Sequence, residues 1–293
     1  MTDFVGSEIA SQPDCWRRAA QLTEDLGVLP AAGTRVAAVG CGTSWFMAMA
    51  YAGLREAAGQ GWTDAFAASE FPGRRDYEAV VVISRSGTTT EVADVLGALG
   101  PGTRRIAIVG VADSPVARAA DDVIVLDFAD ERSVVQTRFA STSLALLRAH
   151  LGEDIEPIAQ HAERALRVEI PPPAITAEQI TFLGMNWTIG LAHEAALKVR
   201  EASQGWAEAY PAMDYRHGPI AIACKGRAVW PLGAAPVGLE ANVLATGADW
   251  IAGSGLDPLA ELILAQRAAV ARAHRLGLDP DHPRNLTRSV VLR

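Results

Sequence analysis

Cysteine is scarce in this sequence of 293 residues, and its three cysteines are widely spaced. Cys15, Cys41 and Cys224 are too few and too scattered for a disulfide framework or a zinc site, so we expect reduced thiols and no metal. The start, MTDFVGSEIA, lacks the basic segment and the apolar core of a secretory signal. These absences together predict a cytoplasmic protein.

The sequence also lacks long apolar runs and clusters of basic residues. No run approaches the ~18 apolar residues of a membrane-spanning helix. The formal net charge is −8 and the sequence pI is about 5.3, which disfavours binding to nucleic acid or to an anionic membrane. An anionic ligand would therefore have to be held locally, by backbone N–H groups and hydroxyls.

Short apolar runs alternate with helical patterns through the first half of the chain, which predicts a parallel sheet covered on both faces. The predicted strands are Arg35–Val39, Ala79–Ile83, Arg105–Val109 and Val123–Asp127. Helices are predicted from Trp45, Thr90, Pro115 and Phe139. Thr88 and Glu91 have the spacing of a capping box, which predicts the start of the second of these helices.

Three consecutive prolines in Glu169–Thr176 predict a linker, because proline neither continues a helix nor fits a central strand. The pattern restarts beyond it, with strands predicted at Ile180–Leu183, Ala228–Leu232 and Asp249–Ile251 and helices at Thr188–Ser203 and Asp257–Leu276. The predicted fold class is α/β, with subdomains at residues 20–168 and 169–293. Each would be a parallel sheet flanked by helices, in a flavodoxin-like three-layer arrangement.

Two hydroxyl-rich loops each follow a predicted strand and open a helix. They are Gly40-Cys41-Gly42-Thr43-Ser44 and Ser84-Arg85-Ser86-Gly87-Thr88-Thr89. Free N–H groups, the helix dipole and short hydroxyls together form an anion site, and the carboxyl ends of parallel strands are where such sheets bind ligands. Neither loop contains the lysine of a nucleotide P-loop, so a small phosphate monoester fits better. Helix capping alone is the alternative, but two such loops on successive strands favour binding.

Three charged residues share one face of the predicted helix Thr188–Ser203, since Glu194, Lys198 and Glu201 are spaced four and three residues apart. A solvated charged stripe is the alternative to catalysis for such a pattern. His217 precedes Gly218-Pro219 and so lies in a turn with a fixed backbone, and histidine titrates near neutral pH. Its alternative is a histidine bonded to the local backbone.

The order of these segments resembles that of the sugar isomerase (SIS) family. The resemblance is to the isomerase half of glucosamine-6-phosphate synthase and to stand-alone proteins like tagatose-6-phosphate isomerase/deaminase. The matching stretches are Gly40–Ser44, Ser84–Thr89, Glu131–Thr142, His193–Ser203, Ala207–Pro219 and Asp281–Val291. The resemblance implies two SIS-type subdomains, a phosphosugar substrate, no cofactor, and a homodimer with a shared active site.

The resemblance also implies roles for individual residues. Glu201 matches the carboxylate that moves a proton between C1 and C2 of the sugar. His217 matches the histidine that opens the sugar ring and that reaches the active site from the neighbouring subunit. Residues implied to bind the substrate or its phosphate are Gly42, Thr43, Ser44, Ser84, Ser86, Gly87, Thr89, Val134, Gln136, Glu194, Lys198 and Arg288.

The sequence departs from the synthase at several positions. Arg288 stands where the synthase has a lysine that forms an imine, and a guanidinium stays protonated and cannot do so. Gln136 and Arg138 replace the serine and lysine of the third loop. No cysteine follows Met1, so we expect no glutaminase activity.

Three hypotheses about function stay open at this point. The first is aldose–ketose isomerisation of a phosphosugar or amino sugar phosphate, with or without release of the amine. The second is a deglycase that cleaves phosphorylated sugar–amino-acid adducts with the same Glu201 and His217. The third is a sensor of sugar phosphates without catalysis, which the presence of both Glu201 and His217 disfavours.

We predict that the double variant Ser86→Ala, Thr89→Ala binds a phosphosugar far more weakly, with much less effect on the unphosphorylated sugar. The reason is that these hydroxyls are expected to bind the phosphate group of the ligand. Titration calorimetry with both sugars measures the difference. Equal losses for the two sugars would mean that the loops do not hold the phosphate.

Overall fold

A computed structural model describes residues 3–22 and 27–292, which divide into two compact units. The first unit comprises Asp14–Glu131, Gln136–Glu156 and Thr287–Arg293. The second unit comprises Met1–Pro13, Arg132–Val135 and Pro157–Leu286. The predicted subdivision at residue 168 stays a prediction.

Each unit contains one parallel sheet. The nine strands found in the described residues are β1 (Val36–Gly40), β2 (Thr63–Ala67), β3 (Ala79–Ser84), β4 (Arg104–Val109), β5 (Asp122–Val125), β6 (Gln179–Gly184), β7 (Trp206–Pro211), β8 (Arg227–Pro231) and β9 (Asp249–Trp250). The strand order is β2-β1-β3-β4-β5 in the first unit and β7-β6-β8-β9 in the second. All pairs are parallel, so the α/β class with two parallel sheets is confirmed.

Helices connect the strands, as parallel pairing requires. They are α1 (Phe4–Ala10), α2 (Gln12–Gln21), α3 (Thr43–Ala57), α4 (Thr90–Ala98), α5 (Pro115–Ala119), α6 (Arg138–His150), α7 (Ile155–Ala165), α8 (Pro172–Thr176), α9 (Thr188–Ser203), α10 (Leu239–Ala245) and α11 (Pro258–Arg275). Among the helices of residues 3–22 and 27–292, none combines the length and the apolarity needed to cross a membrane.

The centre of the first sheet brings the two hydroxyl-rich loops together. Strands β1 and β3 are buried over their whole length and are direct neighbours, with Val39 opposite Val82. Because the strands run parallel, their carboxyl ends meet at one edge, and the loops that follow them lie side by side there.

The second sheet places α9 above its central strand. Helix α9 packs against β6, β7 and α11. On β6, Phe182 stacks on Trp230 of β8 with 5.6 Å between ring centroids, and the Trp230 indole N–H donates to Glu261 Oε1 at 3.0 Å. This buried indole therefore has a polar partner, as buried tryptophans usually do.

One local prediction was wrong, for an identifiable reason. Thr88 and Glu91 form no capping box, since the N-cap of α4 is Thr89 and its side chain makes no capping hydrogen bond. The Thr88 hydroxyl instead bonds to the hydroxyls of Ser86 and Ser289, each at 3.0 Å. The predicted linker contains α8, because proline is tolerated in the first turn of a helix, where its missing N–H costs nothing.

Glycine at the end of β1 is required by the turn into α3. A Cβ atom on Gly40 would lie 2.6 Å from the Ser44 carbonyl carbon and 2.7 Å from the Trp45 nitrogen, both of them backbone atoms. We predict that Gly40→Ala lowers the free energy of unfolding by about 1–3 kcal/mol, since backbone atoms have to shift.

A matched control is Gly97→Ala in α4, where a Cβ atom meets nothing within 4 Å. This change is expected to raise stability by about 0.5–1 kcal/mol, because alanine favours a helix interior. Urea unfolding of both variants tests the prediction, which is contradicted if Gly40→Ala is as stable as the native chain.

Candidate functional site

The two loops at the edge of the first sheet depend on glycine for their shape. Gly42 has φ +53° and Gly87 has φ +63°, a backbone region that other residues rarely adopt. A Cβ atom on Gly87 would lie 2.0 Å from Ser114 Oγ, so the close approach of the loop also requires glycine. Both glycines were predicted from the motifs, and the structure places them in the turns before α3 and α4.

The hydroxyls of these loops are not used as helix caps. Neither α3 nor α4 has a side-chain capping hydrogen bond. The side chains of Ser44, Ser84 and Thr89 form no hydrogen bond within the described residues, and Ser86 Oγ accepts from Thr88 N at 3.2 Å. Thr43 is buried at the start of α3. This arrangement favours the binding interpretation over the capping one.

Gln136 and Val134, two of the predicted substrate-binding residues, differ in their hydrogen bonding. The side-chain nitrogen of Gln136, in the first unit, is buried and has no hydrogen-bond partner among the described residues. A buried donor without a partner is costly, so a ligand atom at this point would stabilise it. Val134, in the second unit, is half-buried, and its N–H donates to the Asp281 carbonyl at 3.1 Å.

Arg85 is a residue that our sequence reasoning missed. It lies between Ser84 and Ser86, is buried, and pairs with the Glu131 carboxylate at 3.3 Å. Glu131 Oε1 also accepts from the N–H groups of Thr137 and Arg138, at 2.6 and 2.7 Å, and so fills the amino end of α6. The signal was present in the sequence, as a lone cation inside a hydroxyl-rich loop.

The carboxyl-terminal segment lies against the second hydroxyl-rich loop. Arg85 Nη2 donates to the Arg288 carbonyl at 3.1 Å, and the Arg288 guanidinium bonds to Asp130 Oδ1 and to the Glu131 carbonyl. The Thr90 N–H donates to the Val290 carbonyl at 3.3 Å. The Arg288 side chain thus has protein partners, while its predicted contact with substrate stays a prediction.

The charged face of α9 is buried, so the alternative of a charged stripe exposed to solvent does not apply. The Glu194 and Lys198 side chains are each 1% exposed, and the Glu201 side chain is 18% exposed. Lys198 Nζ lies 3.4 Å from Glu194 Oε1 and is hydrogen-bonded to Glu201 Oε2. Burying three charges costs free energy that mutual pairing only partly offsets, which makes a purely stabilising role a poor explanation.

His193, adjacent to Glu194 in the chain, is half-buried beside this cluster on α9. Burial lowers the pKa of the His193 imidazole, and the nearby Arg200 guanidinium lowers it further. This histidine is therefore neutral at pH 7 and adds no positive charge to the cluster.

His217, the other predicted catalytic residue, faces solvent. It ends the single helical turn Asp214–His217, and Gly218 follows with φ +135°. Pro219 opens the next turn, so the predicted fixed backbone is present. The His217 ring is exposed and makes no hydrogen bond or ion pair within the residues described. The alternative of a histidine bonded to the local backbone is therefore not what the structure contains.

Metal-ligating side chains do not cluster in the part of the chain that the structure describes. Over residues 3–22 and 27–292, no group of three or more His, Cys, Asp or Glu residues could hold a metal ion.

Sequence comparison connects the chain to amino-sugar enzymes. No model of a known protein family matches it. It is 29% identical to the glutamine–fructose-6-phosphate aminotransferase (isomerizing) of Methanothermobacter thermautotrophicus, over 99% of this chain and 57% of the relative. The Sulfolobus acidocaldarius protein of the same name is 25% identical, over 88% of this chain and 50% of the relative. The chain thus spans about half the length of the curated relatives it matches.

Solved structures share the fold over nearly the whole chain. A glucosamine-6-phosphate deaminase from Thermotoga maritima superposes with a TM-score of 0.83 and 25% identity, covering 98% of this chain and 100% of that one. A tagatose-6-phosphate ketose/aldose isomerase from Escherichia coli has a TM-score of 0.78, 19% identity, and 96% and 97% coverage. The predicted resemblance to sugar isomerases is confirmed, and the second structure establishes the fold alone.

We predict that Lys198→Met lowers the free energy of unfolding by about 3–5 kcal/mol, because it leaves the buried Glu194 carboxylate without its cation. Adding Glu194→Met should recover most of the loss. The exposed Lys225 provides the control, since Lys225→Met is expected to change stability by less than about 0.5 kcal/mol. Urea unfolding measures all three, and a Lys198→Met loss as small as the control's would contradict the buried pairing.

Proposed function

We propose that this chain is a phosphosugar isomerase that moves a proton between C1 and C2 of an open-chain sugar phosphate. The observation that carries the proposal is the buried α9 cluster, in which Lys198 orients a Glu201 carboxylate that remains partly exposed. A single carboxylate held in place and open to a ligand is the group that proton transfer next to a carbonyl requires.

The residues divide the work by their chemistry. The hydroxyls of Ser44, Ser84, Ser86 and Thr89, with the N–H groups of the two loops, bind the phosphate. His217 exchanges the protons that open the cyclic hemiacetal. Glu201 then removes a proton from C1 of the ketose, an enediol forms, and the proton returns to C2 to give the aldose. Binding of the phosphate, remote from these carbons, orients the sugar for the transfer.

The His217 ring is exposed in a single copy of the chain and has no hydrogen-bond or ion-pair partner among the described residues. We include in the proposal that the chain forms a homodimer in which His217 serves the active site of the neighbouring copy. The exposed ring and the resemblance to the synthase support this part.

A second candidate is the release of ammonia from an amino sugar phosphate. The similarity to the Thermotoga deaminase favours it, because that structure matches this chain over its whole length. The same proton transfer by Glu201 would convert the 2-amino aldose to a C2 imine, and water would then displace the amine to leave the ketose. Arg288 cannot form an imine with the substrate in either reaction, since its guanidinium stays protonated.

The test of the proposed function begins with a ligand panel of fructose, tagatose and glucosamine 6-phosphates, their unphosphorylated sugars, and a phosphorylated sugar–amino-acid adduct. Thermal shift identifies binders, since a ligand of the native state raises the melting temperature. Exchange of the C2 proton with solvent and release of ammonia then separate the two candidate reactions. Cleavage of the adduct alone would favour the deglycase.

We predict that Glu201→Gln reduces turnover by about 10²–10⁴-fold while substrate affinity changes little, because the amide keeps the shape but cannot accept the proton. Glu208→Gln on β7 is the matched control. Within the described residues the Glu208 carboxylate bonds only to the nearby Trp206 and Tyr210 side chains, so the turnover of this variant should stay near that of the native chain. Undiminished proton exchange in Glu201→Gln would overturn the assignment.

A further inference from the structure

Helix α1 carries a buried carboxylate that bonds to a distant stretch of backbone. Glu8 is 3% exposed. Its Oε1 accepts from the Arg132 N–H at 2.6 Å and from the Ser133 N–H at 3.4 Å, and its Oε2 is bonded to Ser133 Oγ. The Arg132 guanidinium also lies over the Phe4 ring, 5.3 Å from its centroid.

A second acidic residue, Asp281, bonds both to the start of α1 and to the same stretch of backbone. Asp281 accepts from the N–H groups of Phe4 and Val5 at 2.7 and 2.8 Å, and so occupies the amino end of α1. Its carbonyl oxygen accepts from the Val134 N–H at 3.1 Å. Three successive backbone N–H groups, at residues 132, 133 and 134, are therefore held by two acidic residues. We call Glu8, Asp281 and residues 132–134 the acidic clasp.

Docking of α1 does not by itself require Glu8. Val5 and Ile9 already have buried apolar side chains on α1, which packs against α11, and Asp281 satisfies the free N–H groups at the start of the helix. A buried carboxylate is costly unless its hydrogen bonds are complete, so an apolar residue here would serve packing better. What Glu8 adds is a fixed backbone conformation for residues 132–134.

That backbone presents a predicted substrate residue. Ser133 and Val135 are buried, whereas Val134 between them is half-buried. Fixing the N–H groups of Arg132, Ser133 and Val134 itself sets the direction in which Val134 points.

We propose that Glu8 is a positioning residue for sugar binding, which acts by holding residues 132–134 in the conformation that contacts the sugar. The proposal rests on the function proposed above. It predicts that the affinity for a phosphosugar falls while the affinity for phosphate alone does not. The reason is that the two hydroxyl-rich loops follow β1 and β3 and contain no residue of the acidic clasp.

The experiment compares Glu8→Gln with Asp3→Ala. Asp3 caps α1 through the Gly6 N–H at 2.7 Å and pairs with His274 at 2.7 Å, and it makes no bond to residues 132–134. Both variants loosen α1, but only Glu8→Gln weakens the clasp. The measurements are residue-resolved amide hydrogen exchange and calorimetric titration with fructose 6-phosphate and with inorganic phosphate.

The expected result for Glu8→Gln is amide exchange at Arg132 and Ser133 that is faster by about tenfold, from the loss of a charge-assisted hydrogen bond. Affinity for fructose 6-phosphate should fall by a similar factor, with little change for inorganic phosphate. Asp3→Ala should accelerate exchange at Gly6 and leave the other quantities near native values. If Glu8→Gln fails to fold, Ser133→Ala removes the hydroxyl part of the clasp and should show the same pattern more weakly.

Three outcomes distinguish the proposals. Equal losses of affinity for fructose 6-phosphate in Glu8→Gln and Asp3→Ala would reduce Glu8 to a stabilising residue and overturn the inference. Unchanged exchange at Arg132 and Ser133 in Glu8→Gln would overturn it as well. A native chain that binds neither fructose 6-phosphate nor the rest of the sugar panel would refute the proposed function, while the exchange measurements still decide whether the clasp exists.

Discussion

The parallel pairing of β1 with β3 is the constraint on which the candidate phosphate site depends. Both strands are fully buried, so neither can slide without exposing apolar side chains on two faces. Their carboxyl ends consequently stay at one level, and the two glycine turns follow there. The place of the candidate site in this unit is therefore set by the apolar residues of the sheet, and its polar residues lie at the edge that the sheet provides.

The proposed catalytic carboxylate in the second unit depends on a different constraint, which is its orientation. Helix α9 holds this carboxylate with a lysine between two glutamates, on a buried face of the helix. Such a cluster stabilises the fold little after the cost of desolvation, yet it leaves one carboxylate with a defined direction and partial access. Helix α9 differs from other packed helices because it holds charged side chains at defined positions, at a cost in stability.

Sequence reasoning located the strands that are continuous apolar runs, together with the edge strands β5 and β9, and missed β2 and β7. Continuous apolar runs such as Ala79–Ile83 predict buried strands because both faces are covered, whereas β2 and β7 lie at sheet edges and mix polar with small residues. The capping prediction failed because the Thr88 hydroxyl found a partner in Ser289, which is 201 residues away. Arg85 and Glu8 went unnoticed for the same reason, since their partners are far from them in the chain. A local sequence pattern identifies a loop, but it does not identify the distant residues that hydrogen-bond to that loop.

The position of residues 288–292 in the sequence affects how the protein is made. Their contacts with Arg85, Thr88 and Thr90 close loops of about 200 residues. During synthesis, the first sheet can assemble long before these residues leave the ribosome. The hydroxyl-rich loop therefore spends most of translation without its covering segment, so an anion binding early would meet a more open loop than the finished protein presents.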